Sequence, residues 1–314
     1  MLKHIKIVTL LVFISLLTLI VGIFQNTRYA EVTSRGNFFF EKTRQSVHIS
    51  SLVLKFSDSK QVTLEQKNNM WRVKEADDYY ADFQKINSLI RLIRNISIYR
   101  ADKLNQPLSS DVIKDAFQII SYDNENRVVD DALILPKADK NKFHYALLNQ
   151  APVLYQLNGD INLSSLVMDW VKMPILELPH NQIKRIKTDD FTVFRRFEAE
   201  ELMTEDRQYS VPQIRSLTQH FWSLSAIDIK HAMHFNSNKY KLVKTFEITM
   251  LDGIIYHLKL FNNNNEYWLN VELDKDLLIA PEVLVQLKEN NILYNGWYFK
   301  INSPTGAAIS NFVL

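Results

Sequence analysis

Cysteine is missing from all 314 residues. Its absence excludes thiolate zinc sites, redox pairs, disulfide frameworks, a cysteine nucleophile and a lipid-modified N-terminal cysteine. The compartment stays open, although a cysteine-free chain is comfortable in an oxidising one. Glycine is scarce, with only Gly22, Gly36, Gly159, Gly253, Gly296 and Gly306. No two of these stand close enough for GxG, so the dinucleotide fingerprint is absent, as is GxxxxGK[ST]. Cradling a phosphate with backbone amides normally needs glycines at fixed spacing. An excess of one charge is lacking too: 37 Lys and Arg face 35 Asp and Glu. They are scattered along the chain as solvated faces, without the basic stripe of a nucleic-acid binder. Neither GxSxG nor HExxH occurs.

What the chain does have begins with one apolar run. Lys3, His4 and Lys6 precede Ile7–Phe24, which continues for 18 residues without a charge. As a helix it spans roughly 27 Å, near the hydrocarbon thickness of a bilayer. A cleaved signal peptide has a shorter apolar region and a small-x-small cleavage site, and Gln25-Asn26-Thr27-Arg28-Tyr29-Ala30 offers none. The run therefore reads as an uncleaved anchor. Arg28, Arg35, Lys42 and Arg44 blur the contrast in flanking charge. The short basic N-terminus still favours N-in, C-out, which in a bacterium means the inner membrane with the bulk in the periplasm. Residues 25–45 read as a juxtamembrane stalk. Within it, Phe38-Phe39-Phe40 fits either an aromatic anchor at the membrane interface or a hydrophobic plug under the first domain.

The remainder shows an internal repeat. Apolar residues at Ile86, Leu89, Ile90, Ile93 and Ile96 predict a helix over 82–96. Ile214, Leu217, Phe221 and Leu224 predict another over 211–224, capped by Ser210 with Pro212 in its first turn. Strand-like runs precede each: 51–56, 62–66 and 70–73 in one copy, 183–186 and 191–196 in the other. Meanders follow, clearest at 246–250, 254–260 and 267–273, with Asp252-Gly253 as a hairpin turn. Val153–Asn158 leads into a short helical stretch through Leu163–Leu166, as Trp297–Asn302 does into Ala307–Phe312. Matching positions lie about 128 to 143 apart, which requires insertions. The expected fold is α+β: the anchor followed by two tandem related modules, 46–178 and 179–314, each an antiparallel sheet with covering helices.

Phe39-Phe40, Val47-His48-Ile49, Trp71-Arg72-Val73, Tyr79-Tyr80-Ala81-Asp82, Val153-Leu154-Tyr155 and Met168-Asp169-Trp170, together with the apolar N-terminus, form a pattern over most of the chain. It resembles domain-of-unknown-function family 4340, membrane-anchored proteins linked to gliding-motility-type ABC transporter clusters. The stretch Asn141–Asn149 lacks the glycine such proteins often carry in the first meander. The resemblance implies an accessory role beside a membrane complex, and it transfers no active-site residue.

Candidate chemistry is thin. His231 and His234 form HxxH, but the alternation of Ala226–Phe235 suggests a strand with the two rings on opposite faces. Asp77-Asp78, Asp130-Asp131 and Asp189-Asp190 are sequence neighbours at turns or strand ends, where carboxylates diverge instead of converging across a cleft. Ser57-Asp58-Ser59-Lys60 matches SxxK but falls between two strands, not on a helix. Trp71, Tyr155, Trp268, Trp297 and Tyr298 lie on expected strands as core. Phe221 is in phase with its helical stripe and Trp222 is at its edge. No catalytic, cofactor-binding or metal-ligating residue is assigned, no cofactor is expected, and the chain reads as non-enzymatic. The expected function is a membrane-tethered extracytoplasmic accessory protein, held by residues 7–24, that contacts an integral-membrane partner such as an ABC transporter. The alternative is an envelope module binding glycan or peptide.

Overall fold

The computed structural model describes residues 38–45, 48–137, 143–198, 200–204, 210–275 and 280–312. Along the chain come α1 (Glu41–Gln45), β1 (Ser51–Lys55), β2 (Gln61–Lys67), β3 (Met70–Val73) and β4 (Tyr79–Tyr80). They are followed by α2 (Phe83–Asn95), β5 (Ser97–Lys103), a single turn α3 (Ser110–Ile113), β6 (Phe117–Tyr122), β7 (Val128–Ile134), β8 (His144–Leu148) and β9 (Val153–Asn158). The second half contains β10 (Ile183–Lys187), β11 (Thr192–Phe194), β12 (Met203–Thr204), α4 (Val211–Trp222) and β13 (Asp228–His231). It ends with β14 (Lys241–Met250), β15 (Ile254–Asn263), β16 (Glu266–Lys275), α5 (Pro281–Tyr294), β17 (Trp297–Ile301) and α6 (Ser303–Ser310). The protein is α+β, with two large antiparallel sheets and few helices.

Two compact units result, and they are not consecutive blocks of sequence. Of the described residues, the first holds those up to Gln66 and then Gln84–Ser165; the second holds Lys67–Phe83 and those from Leu166 on. The excursion Lys67–Phe83 thus clusters with Leu166–Leu314, and not with the residues that flank it in sequence. The reason is chemical: Tyr79 is buried against Trp297 and Phe299 at ring separations of 5.0 and 5.5 Å.

In the first unit the sheet runs β2-β1-β6-β7-β8-β9-β5. Ile86, Leu89 and Ile93, one face of α2, supply the buried helical side of its core. Segment 38–45 is folded onto this unit. Phe39 and Phe40 are both 1% exposed, and Phe39 packs edge-on against Tyr155 of β9. The Phe39 N–H donates to the Ile96 carbonyl at 2.9 Å. Thr43 is fully buried in α1; its N–H donates to Asp130 Oδ2 at 2.8 Å and its hydroxyl pairs with Ser121 at 2.7 Å. Of the two readings open for Phe38-Phe39-Phe40, the plug is the one the geometry supports. Residues 38–45, expected as part of the stalk, belong to the first unit.

In the second unit the eight-stranded order is β12-β11-β10-β14-β15-β16-β17-β13. All eight repeat an order found in the nine-stranded sheet, with β12-β11-β10-β14-β15-β16-β17-β13 in the places of β3-β2-β1-β6-β7-β8-β9-β5. In both units a helix, α2 or α4, leads into the far edge strand. Ser210 and Gln213 form the capping box of α4, and Phe221 packs on Phe246 of β14 at 5.2 Å. Gly253 (φ 89°) turns β14 into β15, and Asn264 and Asn265, also at positive φ, turn β15 into β16.

Two local expectations are corrected, and one element was not expected. Leu163–Leu166 is not helical; a 3₁₀ turn begins only at Val167. The strand expected over 226–235 is confined to Asp228–His231, because the backbone N–H groups of His234 and Phe235 fold back to the His231 carbonyl. And α5 interrupts the strands between β16 and β17, where the first unit joins β8 to β9 through Asn149–Pro152. Among the described residues no helix is long and apolar enough to cross a membrane, and Ile7–Phe24 lies outside them.

Candidate functional site

The excursion Lys67–Phe83 starts with Asn68 and Asn69 at φ 52° and 62°, a left-handed turn that asparagine tolerates. After β3 a short 3₁₀ turn ends at Asp77 and Asp78, again left-handed at φ 59° and 64°. This reversal aims two neighbouring carboxylates at different partners. Asp77 accepts the backbone N–H of His231 at 2.6 Å and holds the His234 ring through Nδ1 at 2.6 and 2.8 Å. Asp78 pairs with Lys67 at 2.9 Å. Arg72 lies 4.2 Å over the Tyr80 ring and donates to the Asp78 carbonyl and the Tyr80 hydroxyl.

Tyr79 fixes the excursion from inside. Its hydroxyl donates to the Leu293 carbonyl near the end of α5 at 3.1 Å, and burial pushes its phenol far above the ordinary range. The same cause raises Tyr294 of α5, and raises Tyr256 to about 12. These phenols are neutral packing groups, not acid–base groups for neutral pH.

Between the excursion and α5 lies an open groove of about 330 Å³. One wall carries Asn69, Met70, Trp71, Tyr80, Ala81 and Phe83; the other carries Glu289, Asn290, Ile292 and Leu293, with Lys172 also lining it. Trp71 and Tyr80 are 9% and 8% exposed, so their ring faces are mostly covered. The apolar surface offered to solvent comes from Phe83 (65%), Ile292 (47%) and Met70 (37%). Large apolar side chains clustered and exposed in this way mark recognition surfaces more often than isolated ones do.

A second cleft, about 220 Å³, is lined by Lys187, Thr188, Asp189, Thr245, Glu247, His257 and Lys259 among others. Its charges are already compensated: Arg185 meets Glu247 at 2.8 Å and Lys259 meets Glu272 at 2.8 Å. The arrangement offers no net field to a charged ligand.

His231 and His234 do not converge as ligands. His231 ends its strand, with its ring edge-on to Trp297, and His234 follows in a turn on Asp77. Among the described residues no group of three or more metal-ligating side chains comes together. The other acidic pairs diverge as well. Asp130 is buried on Thr43 while Asp131 accepts from Gln118; Asp189 meets Thr245 and Asp190 meets Lys244. Lys60 pairs with Asp58 across a turn in which Ser59 is left-handed, so SxxK is a hairpin tip.

One constellation was not visible in the sequence. His180 bonds Thr218 through Nδ1 (2.8 Å) and Glu201 through Nε2 (3.1 Å). It has the composition of a hydroxyl–imidazole–carboxylate relay. Thr218, however, is fully buried inside α4 and its hydroxyl reaches the Arg215 carbonyl, so no substrate can meet it. Arg215 also pairs with Glu201, and the hydrogen bond from His180, followed by that from Arg215, holds the Glu201 carboxyl below its ordinary range.

Trp222 is 53% exposed while Phe221 is fully buried, as the helical phase predicts. Phe83, three residues before Ile86, is also in phase with a buried stripe. As the first residue of α2 it overhangs the core, and its exposure has no signal in periodicity. No family model, curated protein or solved structure matches this chain.

Proposed function

We propose that this chain is a membrane-tethered extracytoplasmic accessory protein, a non-catalytic partner of an integral-membrane complex such as an ABC transporter. In this reading Ile7–Phe24 sits in a bacterial inner membrane and the two sheet units lie in the periplasm. The shared eight-strand order supports an internal duplication. The resemblance to domain-of-unknown-function family 4340 supports the transporter setting.

The observation that carries the reading is the docking of segment 38–45. Phe39, Phe40 and Thr43 bind segment 38–45 to the first sheet. Only residues 25–37, 13 of them, separate Phe24 from Phe38. Fully extended, they reach about 45 Å. A soluble ligand could be met without such a leash; a partner in the same bilayer makes it useful. Purification of the full chain from membranes in mild detergent is the test. Co-purification of a stoichiometric integral-membrane protein is expected, and recovery of this chain alone would overturn the reading.

The second reading, an envelope module for glycan or peptide, draws on Trp71 and Tyr80 in the groove. Their covered faces weaken it, because sugar recognition by aromatic rings needs an open platform. Saturable binding of peptidoglycan fragments or short envelope peptides to the folded protein would favour it.

A further inference from the structure

We infer that residues 32–37 dock antiparallel along the outer edge of β5, so that the chain covers the open edge of the first unit's sheet with its own N-terminal side. β5 (Ser97–Lys103) ends the strand order, and among the described residues no strand lies on its outer side. Four of its seven residues, Tyr99, Arg100, Asp102 and Lys103, are exposed. An exposed edge of this length is a template for pairing with another strand. In the second unit the corresponding edge strand is β13, and there the His231 N–H is taken up within the chain by Asp77 Oδ2 at 2.6 Å. At β5 the occupant and its direction are set by one contact. Phe38 forms an isolated antiparallel bridge with Ser97, and the Phe39 N–H donates to the Ile96 carbonyl at 2.9 Å. Arg44 lies 3.3 Å over the Phe38 ring and holds it at this position. An antiparallel ladder that opens in this way adds, as its next rung, the Ile98 N–H on the Asn37 carbonyl.

The sequence before Phe38 suits the place. Residues 32–37 read Val-Thr-Ser-Arg-Gly-Asn, with two β-branched residues and no proline to break a ladder. Counted from the bridge, Gly36 faces Tyr99, where it adds no side chain beside a ring already stacked on Phe143 at 4.8 Å. Val32 or Thr33 then reaches Lys103, depending on whether the run follows the bulge between Ile98 and Arg100. The edge brings no field against the single cation of the segment, Arg35, because Arg100 is already paired with Asp102 at 2.9 Å. Covalent attachment at Phe38 gives these residues a high effective concentration at β5, which any competing strand lacks. Joined to the accessory reading, the docking leaves only residues 25–31 between Phe24 and the far end of β5, about 25 Å when extended. That consequence rests on the membrane reading; the docking itself does not.

The experiment uses the full chain purified in mild detergent, so it tests the docking apart from any membrane partner. Because the chain has no cysteine, an introduced pair reports one disulfide without ambiguity. Ser34→Cys is combined with Ala101→Cys or with Asp102→Cys, the two counts the bulge allows, and in a control with Gln61→Cys of β2, at the opposite end of the first unit's strand order. A disulfide needs the two Cα atoms within about 7 Å. Oxidation with copper phenanthroline in air should close an intramolecular disulfide with position 101 or 102 and not with 61. In a second measurement, Val32→Pro with Ser34→Pro should speed hydrogen exchange of the outward amides of β5 about tenfold or more, with β1 and β6 unchanged. No disulfide at either position of β5, or one formed as readily with position 61, would overturn the inference. Disulfides only between two copies would overturn it in favour of a second chain on this edge. Exchange at β5 unaltered by the two prolines would do the same in favour of some other cover. The accessory reading survives each of these results, since it is tested by co-purification and not by the crosslink.

Discussion

At the scale of single residues, Asp77 joins two pieces of chain 154 positions apart, since its Oδ2 accepts the N–H of His231. Its left-handed backbone and its carboxylate are separable contributions. Asp77→Asn keeps an acceptor and a residue that tolerates φ 59°, so it should cost less than about 1 kcal/mol. Asp77→Ala leaves the His231 amide without its acceptor and adds the left-handed penalty, for about 2–4 kcal/mol in urea unfolding. Gly306 tests packing instead of conformation. A Cβ there would stand 2.2 Å from Cγ and 2.5 Å from Cβ of Tyr267. Those atoms are the root of a buried strand side chain, not a movable tip. Gly306→Ala should therefore destabilise by about 1–3 kcal/mol as overpacking does, seen as a lower urea midpoint at unchanged slope. Glu201 sets a pH dependence. Its carboxyl is held low by His180 first and Arg215 second. The stability it lends is present above the unfolded-state value near 4.3 and is lost as pH falls through the lower folded value. Because its side chain is 47% exposed, the effect is small, about 0.5–1 kcal/mol after screening. Urea titrations from pH 6 to 3 should show the loss in wild type and a flatter limb in Glu201→Gln.

At the scale of elements, the strongly periodic pieces were legible. Ser210 and Pro212 announced α4, the Ile86/Leu89/Ile93 stripe announced α2, and Asp252-Gly253 announced the β14–β15 turn. Each obeys a local rule that the tertiary structure leaves in force. The misses have physical reasons. In α5 the apolar residues Val283, Leu284, Val285, Leu287, Ile292 and Leu293 form no single stripe, and only Tyr294 is buried. A helix exposed on most sides has no periodicity to read. The groove was illegible for a related reason: its walls come from residues near 70–83 and near 290, and nothing local links them. The distinction yields a prediction. The β16–β17 register, Tyr267↔Ile301 through Asn270↔Tyr298, does not pass through α5. Replacing 276–296 by about eight Gly/Ser residues, which suffice to span the gap, should leave a cooperatively unfolding second unit. It should be less stable by about 2–4 kcal/mol, because Tyr294 and the Leu293 acceptor of Tyr79 are lost. Circular dichroism with urea checks the fold; loss of cooperative unfolding would show that α5 is part of the second unit's core.

At the scale of the whole chain, the proposed tethering makes the number of residues between Phe24 and Phe38 the variable to test. Phe39, Phe40 and Thr43 seat the far end of that stretch on the first sheet, so the length in play is at most the 13 residues between. The random-coil reference for that number of residues is a root-mean-square span of about 20 Å. Insertion of about 30 Gly/Ser residues raises the span to about 36 Å and dilutes the tethered units about sixfold, since effective concentration falls as the −3/2 power of length. A partner in the same bilayer should be engaged correspondingly less, read as recovery in pull-downs at matched expression. Exchange of Ile7–Phe24 for a cleavable signal removes the local concentration altogether and should release a folded but inactive protein. A freely diffusing ligand responds to neither change, because its concentration at the groove does not depend on where the protein is held. Equal function of the anchored, lengthened and released forms would therefore count against the bilayer partner and in favour of the envelope-ligand reading.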